Sequence, residues 1–205
     1  MPHVNNTYTA WAQPGQFNSL EGATSTEYNK LVNNISLMYA RPFITVANTV
    51  SQSLSTATNV FLSGGAPTTI SNSPASGAGS IAFNTSTGVL TVPVSGLYRV
   101  TMSMSVALNA TAAYYYMIAT FAGGTASNNH VFYTPRTPTN TAQITGATAS
   151  FIIPMNATSG GTYPNSVSFT IGTSATVSVQ GSALPIGANT TFAQLEYLGA
   201  STGAI

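Results

Sequence analysis

Near the N-terminus, hydrophobic residues recur at the i, i+3, i+4, i+7 spacing that places side chains on one face of an α-helix. These residues are Tyr28, Leu31, Val32, Ile35, Met38 and Tyr39. Thr24 and Glu27 form a capping box before them, in which each side chain accepts a hydrogen bond from the other residue's backbone amide. Pro42 cannot continue a helix. The pattern therefore predicts an amphipathic helix that begins at Thr24 and ends before Pro42.

The apolar face of this helix needs a partner, because a helix of about four turns is not stable alone in water. It could pack on the β domain of its own chain, or it could dock on a neighbouring subunit or shell. We prefer the second alternative. The predicted anchoring residues are Trp11, Phe17, Leu20, Tyr28, Leu31, Val32, Ile35, Met38 and Tyr39.

After Pro42 the hydrophobic pattern changes to period two, which is typical of β-strands with one buried face. The clearest strand is predicted from Leu97 to Leu108, where apolar residues alternate with polar ones. Its inward set is Tyr98, Val100, Met102, Met104 and Val106, and its outward set is Arg99, Thr101, Ser103 and Ser105. The stretches Ser166 to Ile171 and Thr176 to Val179 alternate in the same way. We predict an N-terminal arm and helix over 1–41 and a β domain over 42–205.

The run from Tyr114 to Ile118 is apolar or aromatic at every position. Such a run fits a strand covered on both faces, as at a subunit interface, or a central strand of the core. Ser63 to Ser80 is rich in Gly, Pro and Ser and is predicted to be a long flexible loop. Many short strands without intervening helices predict an antiparallel sandwich or barrel. The absence of Cys disfavours an immunoglobulin domain.

The segment from Ile81 to Tyr98, IAFNTSTGVLTVPVSGLY, resembles a hairpin of the tumour-necrosis-factor and complement-head superfamily. In that family an F-N-x-x-T-G-x-[FL]-T-V-P-x-x-G-x-Y pattern precedes a long alternating strand. Thr191 to Leu198 resembles the family's last strand, and Val167 to Gln180 resembles the preceding strand pair around a Gly/Ser turn. The resemblance covers roughly Ser51 to Ala200, and it implies a jelly-roll sandwich that assembles as a homotrimer.

The N-terminal part is similar to structural proteins of tailed bacteriophages that infect actinobacteria. The matching residues are the W-x-x-G-like stretch Trp11 to Gly15, the helix start Thr24 to Asn29, and the stop Arg41-Pro42. Members of that group are head decoration, head fibre or minor tail proteins. The resemblance implies a virion protein on the outer capsid surface or the tail. The N-terminus has neither the basic nor the apolar region of a secretion signal, so we expect the protein to be made in the host cytoplasm.

Composition narrows the possible partners. Charged residues are 3% of the chain, the formal net charge is +1, and the basic residues Lys30, Arg41, Arg99 and Arg136 are scattered. Such a chain has no cationic stripe for nucleic acid. No hydrophobic run is long enough for a membrane span, so we expect no membrane partner.

The chain offers little catalytic chemistry, since it has two His, no Cys, and only three acidic residues, all Glu. His130 with Glu196 or with an N-terminal Glu would be the remaining basis for a nucleophilic triad, but no strand-to-helix nucleophile elbow is predicted. Glu196 more plausibly lies on a wet strand face or pairs with an Arg. We therefore expect no enzyme activity, no catalytic or metal-ligating residues and no cofactor.

Two functions remain. The first is a trimeric capsid decoration (head fibre) protein that binds the major capsid protein and stabilises the shell. The alternative is a minor tail or fibre protein whose jelly roll binds host cell-surface glycans, with exposed side chains on loops such as Asn128 to Asn140. The predicted trimer-interface residues are Tyr114, Tyr115, Tyr116, Phe192 and Tyr197.

Overall fold

The computed structural model describes residues 28–29, 31–32, 35, 40–73, 79–107, 114–125, 129–134, 144–182 and 190–200. The described positions between 28 and 35 are α-helical, inside the predicted helix. Strands follow from Phe43 onward: β1 Phe43–Asn48, β2 Gln52–Leu54, β3 Thr58–Asn59, β4 Pro67–Ser73, β5 Ala82–Asn84, β6 Val89–Thr91, β7 Gly96–Ala107, β8 Tyr115–Ala122, β9 Asn129–Thr134, β10 Ile144–Met155, β11 Ser166–Thr173, β12 Val177–Val179 and β13 Phe192–Gly199. A short 3₁₀ turn, Ser63–Gly65, lies between β3 and β4.

The strands form two antiparallel sheets that enclose one hydrophobic core. Sheet A has the order β2-β12-β7-β13-β1-β4, and β10 pairs with β7 along its whole length. Sheet B has the order β5-β6-β11-β8-β9, with β3 also paired to β11. The prediction of an all-β sandwich is confirmed.

Strand β7 has the alternation that the sequence predicts. All five apolar residues from Tyr98 to Val106 are at most 2% exposed, while Arg99 is exposed and Thr101 and Ser103 are half-buried. Ser105 is an exception, because it is only 4% exposed. Its backbone amide donates to Thr191 Oγ1 over 3.1 Å, and that hydroxyl donates in turn to the Ser105 carbonyl over 3.2 Å. The solvent-facing side predicted for this strand therefore ends before Ser105.

The core draws side chains from both sheets, and edge-to-face aromatic pairs lie inside it. Phe61 packs against Phe169 at a centroid distance of 5.7 Å, and Phe121 of sheet B meets Phe151 of sheet A at 6.0 Å. Full burial of one such side chain contributes about 1.5–3 kcal/mol. Burial of large apolar residues on the inner faces therefore holds the two sheets together.

Strands β5 and β6 form the hairpin that the family resemblance implies, and the chain turns at Gly88. Gly88 adopts a positive φ of 67°, and its amide donates to the Asn84 carbonyl over 2.7 Å. Asn84 Oδ1 also accepts from the amide of Ser86 over 2.9 Å. These contacts close the turn around a residue that needs the left-handed conformation.

The structure corrects the predicted loop over Ser63 to Ser80. Residues Pro67–Ser73 form β4, an edge strand paired antiparallel with β1, with a register shift between Thr45 and Val46. The strand has no alternating apolar face, so periodicity could not reveal it. Pro67 is its first residue, a position where the missing amide hydrogen costs the sheet little.

The predicted strand pair within Val167 to Gln180 exists as β11 and β12, but the two strands do not pair with each other. β11 pairs with β3, β6 and β8 in sheet B, whereas β12 pairs with β2 and β7 in sheet A. The turn between them carries the chain from one sheet to the other.

Candidate assembly surfaces

Four of the predicted anchoring residues lie in the described helical positions. Tyr28, Leu31 and Ile35 are 62%, 46% and 42% exposed, and Val32 is half-buried. Trp11, Phe17, Leu20, Met38 and Tyr39 lie outside the described residues. The three exposed residues belong to one helical face, so this part of the apolar face is not covered by the chain's own β domain.

The structure distributes the predicted trimer-interface residues over three places. Tyr115 and Tyr197 are 0% and 3% exposed, so their rings belong to the core of their own chain. Tyr114 and Tyr116 lie at the start of β8, on the outer face of sheet B. Phe192 is half-buried on the outer face of sheet A, opposite Ser103. The five residues therefore do not form one surface.

Burial of Tyr115 has a local reason. Strand β8 alternates strictly, with Tyr115, Met117, Ala119 and Phe121 facing inward. The run from Tyr114 to Ile118 thus contains a core strand with half-buried residues on its outer face, which is the second alternative that the sequence allowed.

The outer face of sheet A carries a row of register partners across four strands. Ile152 on β10 faces Arg99 on β7, Arg99 faces Glu196 on β13, and Glu196 faces Phe43 on β1. Arg99 Nη1 lies 3.2 Å from Glu196 Oε2, with side-chain exposures of 47% and 29%. The expectation that Glu196 lies on a wet face and pairs with an Arg is confirmed.

Two hydrogen-bonded hydroxyl pairs lie on the same outer face, between β7 and β10. Thr101 Oγ1 and Ser150 Oγ lie 3.0 Å apart, and Thr148 Oγ1 donates to Ser103 Oγ over 3.0 Å. Cross-strand pairs of this kind fix the positions of short side chains on a sheet. We call the surface formed by Arg99, Thr101, Ser103, Thr148, Ser150, Ile152, Gln194 and Glu196 the sheet A face.

Ile152 is the apolar feature of the sheet A face, and it is 56% exposed. It lies near the end of β10, a twelve-residue strand whose strand partner in the described part of the chain is β7 alone. A long strand with one unpaired edge and an exposed Ile invites association. Sequence reasoning missed Ile152, although Phe151-Ile152-Ile153 breaks the alternation and leaves one apolar side chain facing outward.

At the end of the core next to the arm, two tyrosines pack edge to face. The rings of Tyr98 and Tyr197 are 5.4 Å apart at 63°. Burial raises the pKa of Tyr98, and the neighbouring Tyr197 raises it further. The hydrogen bond to the Val94 carbonyl lowers this pKa, but by less. Burial also raises the pKa of Tyr197, while the charge of Arg41 opposes that shift. Both phenols therefore stay neutral at physiological pH.

Within the described residues, no three His, Cys, Asp or Glu side chains are grouped so that they could hold a metal ion. In the same part of the chain, no helix has the length and hydropathy to cross a membrane. The backbone of His130 lies on β9, in register with Ala119 of β8.

Comparison with known proteins shows the fold. The chain is similar to Eiger TNF from S. frugiperda, with a TM-score of 0.54 and 12% identity over 80% of this chain and 98% of that chain. It is also similar to the PRD1 vertex protein P5, with a TM-score of 0.48 and 20% identity over 77% of this chain and 97% of that chain. The similarity to murine APRIL has a TM-score of 0.47 and 10% identity over 77% of this chain and 99% of that chain. No protein-family profile and no curated protein sequence matches the chain. The β domain is thus a jelly roll of the tumour-necrosis-factor kind, which confirms the fold that the hairpin resemblance implied.

Proposed function

We propose that this protein is a non-enzymatic capsid decoration (head fibre) protein of a virus particle, anchored to the shell by its N-terminal arm. The observation that carries the proposal is the exposed apolar helix face at Tyr28, Leu31 and Ile35, ahead of a closed β domain. An apolar face on a short helix needs a partner to be stable. The resemblance of the arm to bacteriophage head and tail proteins supports the major capsid protein as that partner.

A trimer is the second part of the proposal. The hairpin resemblance implies threefold assembly, and the exposed Ile152 on β10, a strand that pairs only with β7 among the described strands, offers a contact for a sister chain. Three linked arms bind a shell far more tightly than one, because the second and third contacts form at high effective concentration. Each trimer would then join neighbouring capsid subunits and resist internal pressure.

Substitution of the arm tests the anchoring. The full-length triple variant Tyr28→Ser, Leu31→Ser, Ile35→Ser should bind shells assembled without this chain at least about tenfold more weakly, since even one such side chain contributes about 1.5 kcal/mol. Asn29→Ser is the matched control on the same helix and should bind normally. Occupancy is measured by co-sedimentation and cryo-electron microscopy. Normal binding of the triple variant would contradict the anchoring role.

Removal of residues 1 to 40 provides a second test. The first described strand begins at Phe43, so the shortened chain retains every strand that the structure describes and should fold into the same oligomer. It should no longer attach to particles. Circular dichroism and light scattering check the fold and the oligomer, and an attached truncated protein would show that the arm is not the anchor.

The trimer contact is tested separately with Ile152→Lys, which places a charge on the exposed edge of the sheet A face. The native protein should have three times the mass of one chain by light scattering, and the variant should dissociate. Thr158→Lys adds the same charge at an exposed loop position and should remain trimeric. A monomeric native protein, or a trimeric Ile152→Lys variant, would contradict this part of the proposal.

A further inference from the structure

Two tyrosine rings form a platform on sheet B, on the opposite side of the sandwich from the sheet A face. Tyr114 directly precedes β8 and Tyr116 lies within it, so the side chains of these two residues point to the same side of the strand. Their ring planes are within 13° of parallel, and the centroids are 6.0 Å apart. Tyr114 is 37% exposed and Tyr116 is half-buried. We call this pair the tyrosine platform.

The ring of Tyr116 is held in place by a glycine. Gly172 on β11 is its register partner, and a Cβ at position 172 would overlap the Tyr116 ring. The ring therefore lies across the backbone of β11, in space that any other residue would fill. This contact keeps the ring close to the sheet.

The position of Tyr114 is fixed through its backbone. Its carbonyl accepts hydrogen bonds from the Ser174 amide over 3.3 Å and from Thr173 Oγ1 over 3.2 Å, and its amide donates to Ser174 Oγ over 3.4 Å. The backbone at Tyr114 is thus fixed before any ligand arrives, and its ring stacks on that of Tyr116. A preformed platform loses little conformational entropy on binding.

Among the described residues, the outer face of sheet B around the platform carries no charge, and Ile118 of β8 lies there next to Tyr116. Thr170 and Ser168 of β11 and Thr120 of β8 occupy the same outer face and are half-buried. The strands of sheet B contain no Asp, Glu, Lys or Arg. Anionic ligands such as nucleic acids or acidic sugars therefore find no counter-charge among these strands.

We propose that the tyrosine platform binds a neutral pyranose sugar of a cell-surface or extracellular polysaccharide. The C–H groups on one face of a pyranose are weakly positive and pack against the negative face of an aromatic ring. The ring of Tyr114, the more exposed of the stacked pair, offers such a face, and the nearby Thr and Ser hydroxyls can exchange hydrogen bonds with the sugar hydroxyls. The inference does not depend on attachment to a capsid.

Neutral and acidic hexasaccharides test the platform on the full-length protein. Maltohexaose, cellohexaose and mannohexaose are compared with hexagalacturonate by saturation-transfer NMR and calorimetry. At least one neutral hexasaccharide should bind, and Tyr114→Ala or Tyr116→Ala should each weaken its binding roughly threefold to tenfold, the scale of one aromatic contact. Tyr114→Phe keeps the ring and should retain most of the binding.

Two further variants separate the platform from a general effect of tyrosine loss. Gly172→Ala leaves both tyrosines present but displaces the Tyr116 ring, and it should weaken binding as Tyr116→Ala does. Tyr163→Ala removes a half-buried tyrosine from the loop before β11 and should have no effect. All variants are checked for folding by thermal denaturation. Binding of hexagalacturonate alone, absence of neutral binding, or unchanged binding by folded Tyr114→Ala and Tyr116→Ala would each overturn the inference.

Discussion

Arg99 and Glu196 are register partners on β7 and β13, and their side chains form an ion pair of 3.2 Å on the sheet A face. Because both groups are partly exposed, the pair contributes about 0.2–1 kcal/mol. We expect Glu196→Gln to lower the free energy of unfolding by less than about 1 kcal/mol. Leu195→Ala, which truncates the buried neighbour, should cost about 2–5 kcal/mol. Urea denaturation measures both values, and an equal loss in the two variants would contradict this assignment.

Loss of the phenolic hydroxyl should lower the stability of the protein at Tyr98 but not at Tyr197. Tyr98 donates a 2.7 Å hydrogen bond to the Val94 carbonyl, so Tyr98→Phe leaves a buried acceptor unpaired and should cost about 1–3 kcal/mol. The hydroxyl of Tyr197 is buried and makes no hydrogen bond with the described part of the chain. Tyr197→Phe should therefore leave the stability unchanged or raise it. Thermal denaturation of the two variants side by side gives the comparison.

Stability should decline at alkaline pH. The pKa values of Tyr98 and Tyr197 are raised above the ordinary value of 10.0, chiefly by burial. Above pH 10 the unfolded chain loses these protons while the folded chain keeps them, so the unfolded state binds fewer protons. The stabilisation is complete below pH 10 and is lost as the pH rises above it.

The measurement is the urea midpoint between pH 8 and pH 11. The double variant Tyr98→Phe, Tyr197→Phe removes both titrating groups and should show a smaller decline than the native protein over that range. Identical pH profiles for the two proteins would show that other groups cause the decline.

Glycine substitutions should separate backbone strain from steric overlap. Gly88 and Gly160 both have positive φ, at 67° and 87°. A Cβ at Gly160 meets nothing within 4 Å, so Gly160→Ala should cost about 1 kcal/mol from conformation alone. A Cβ at Gly88 would lie 2.7 Å from the Phe61 carbonyl oxygen and would overlap the Asn59 amide, so Gly88→Ala should cost more. Denaturation midpoints that rank in the reverse order would contradict this reasoning.

Local sequence patterns predicted the strands that bury one face. The alternation from Tyr98 to Val106 identified β7, and the hairpin pattern from Ile81 to Tyr98 identified the pair β5 and β6. Both features depend on near neighbours in the chain. Strand β4 was missed because its sequence, PTTISNS, lacks alternation and becomes a strand only through pairing with β1.

The assembly surfaces were harder to predict, because period-two alternation does not show which outward residues remain exposed. Tyr115 and Tyr197 are aromatic residues that were predicted to contact a sister chain, yet the inward phase of their strands places them in the core. Ile152 points outward on β10, and the described structure gives this strand β7 as its only partner, which depends on strand order. The platform at Tyr114 and Tyr116 likewise depends on Gly172, which is distant in sequence.

The pairing of β1 with β13 brings together Phe43 and Glu196, which are far apart in the sequence. Contacts between such distant residues form slowly, because a long loop must close first. On the ribosome, β1 has no β13 to pair with until residue 199 has emerged. The residues that precede β1 therefore emerge before sheet A can close, and the jelly roll is completed only when its last described strand has been synthesised.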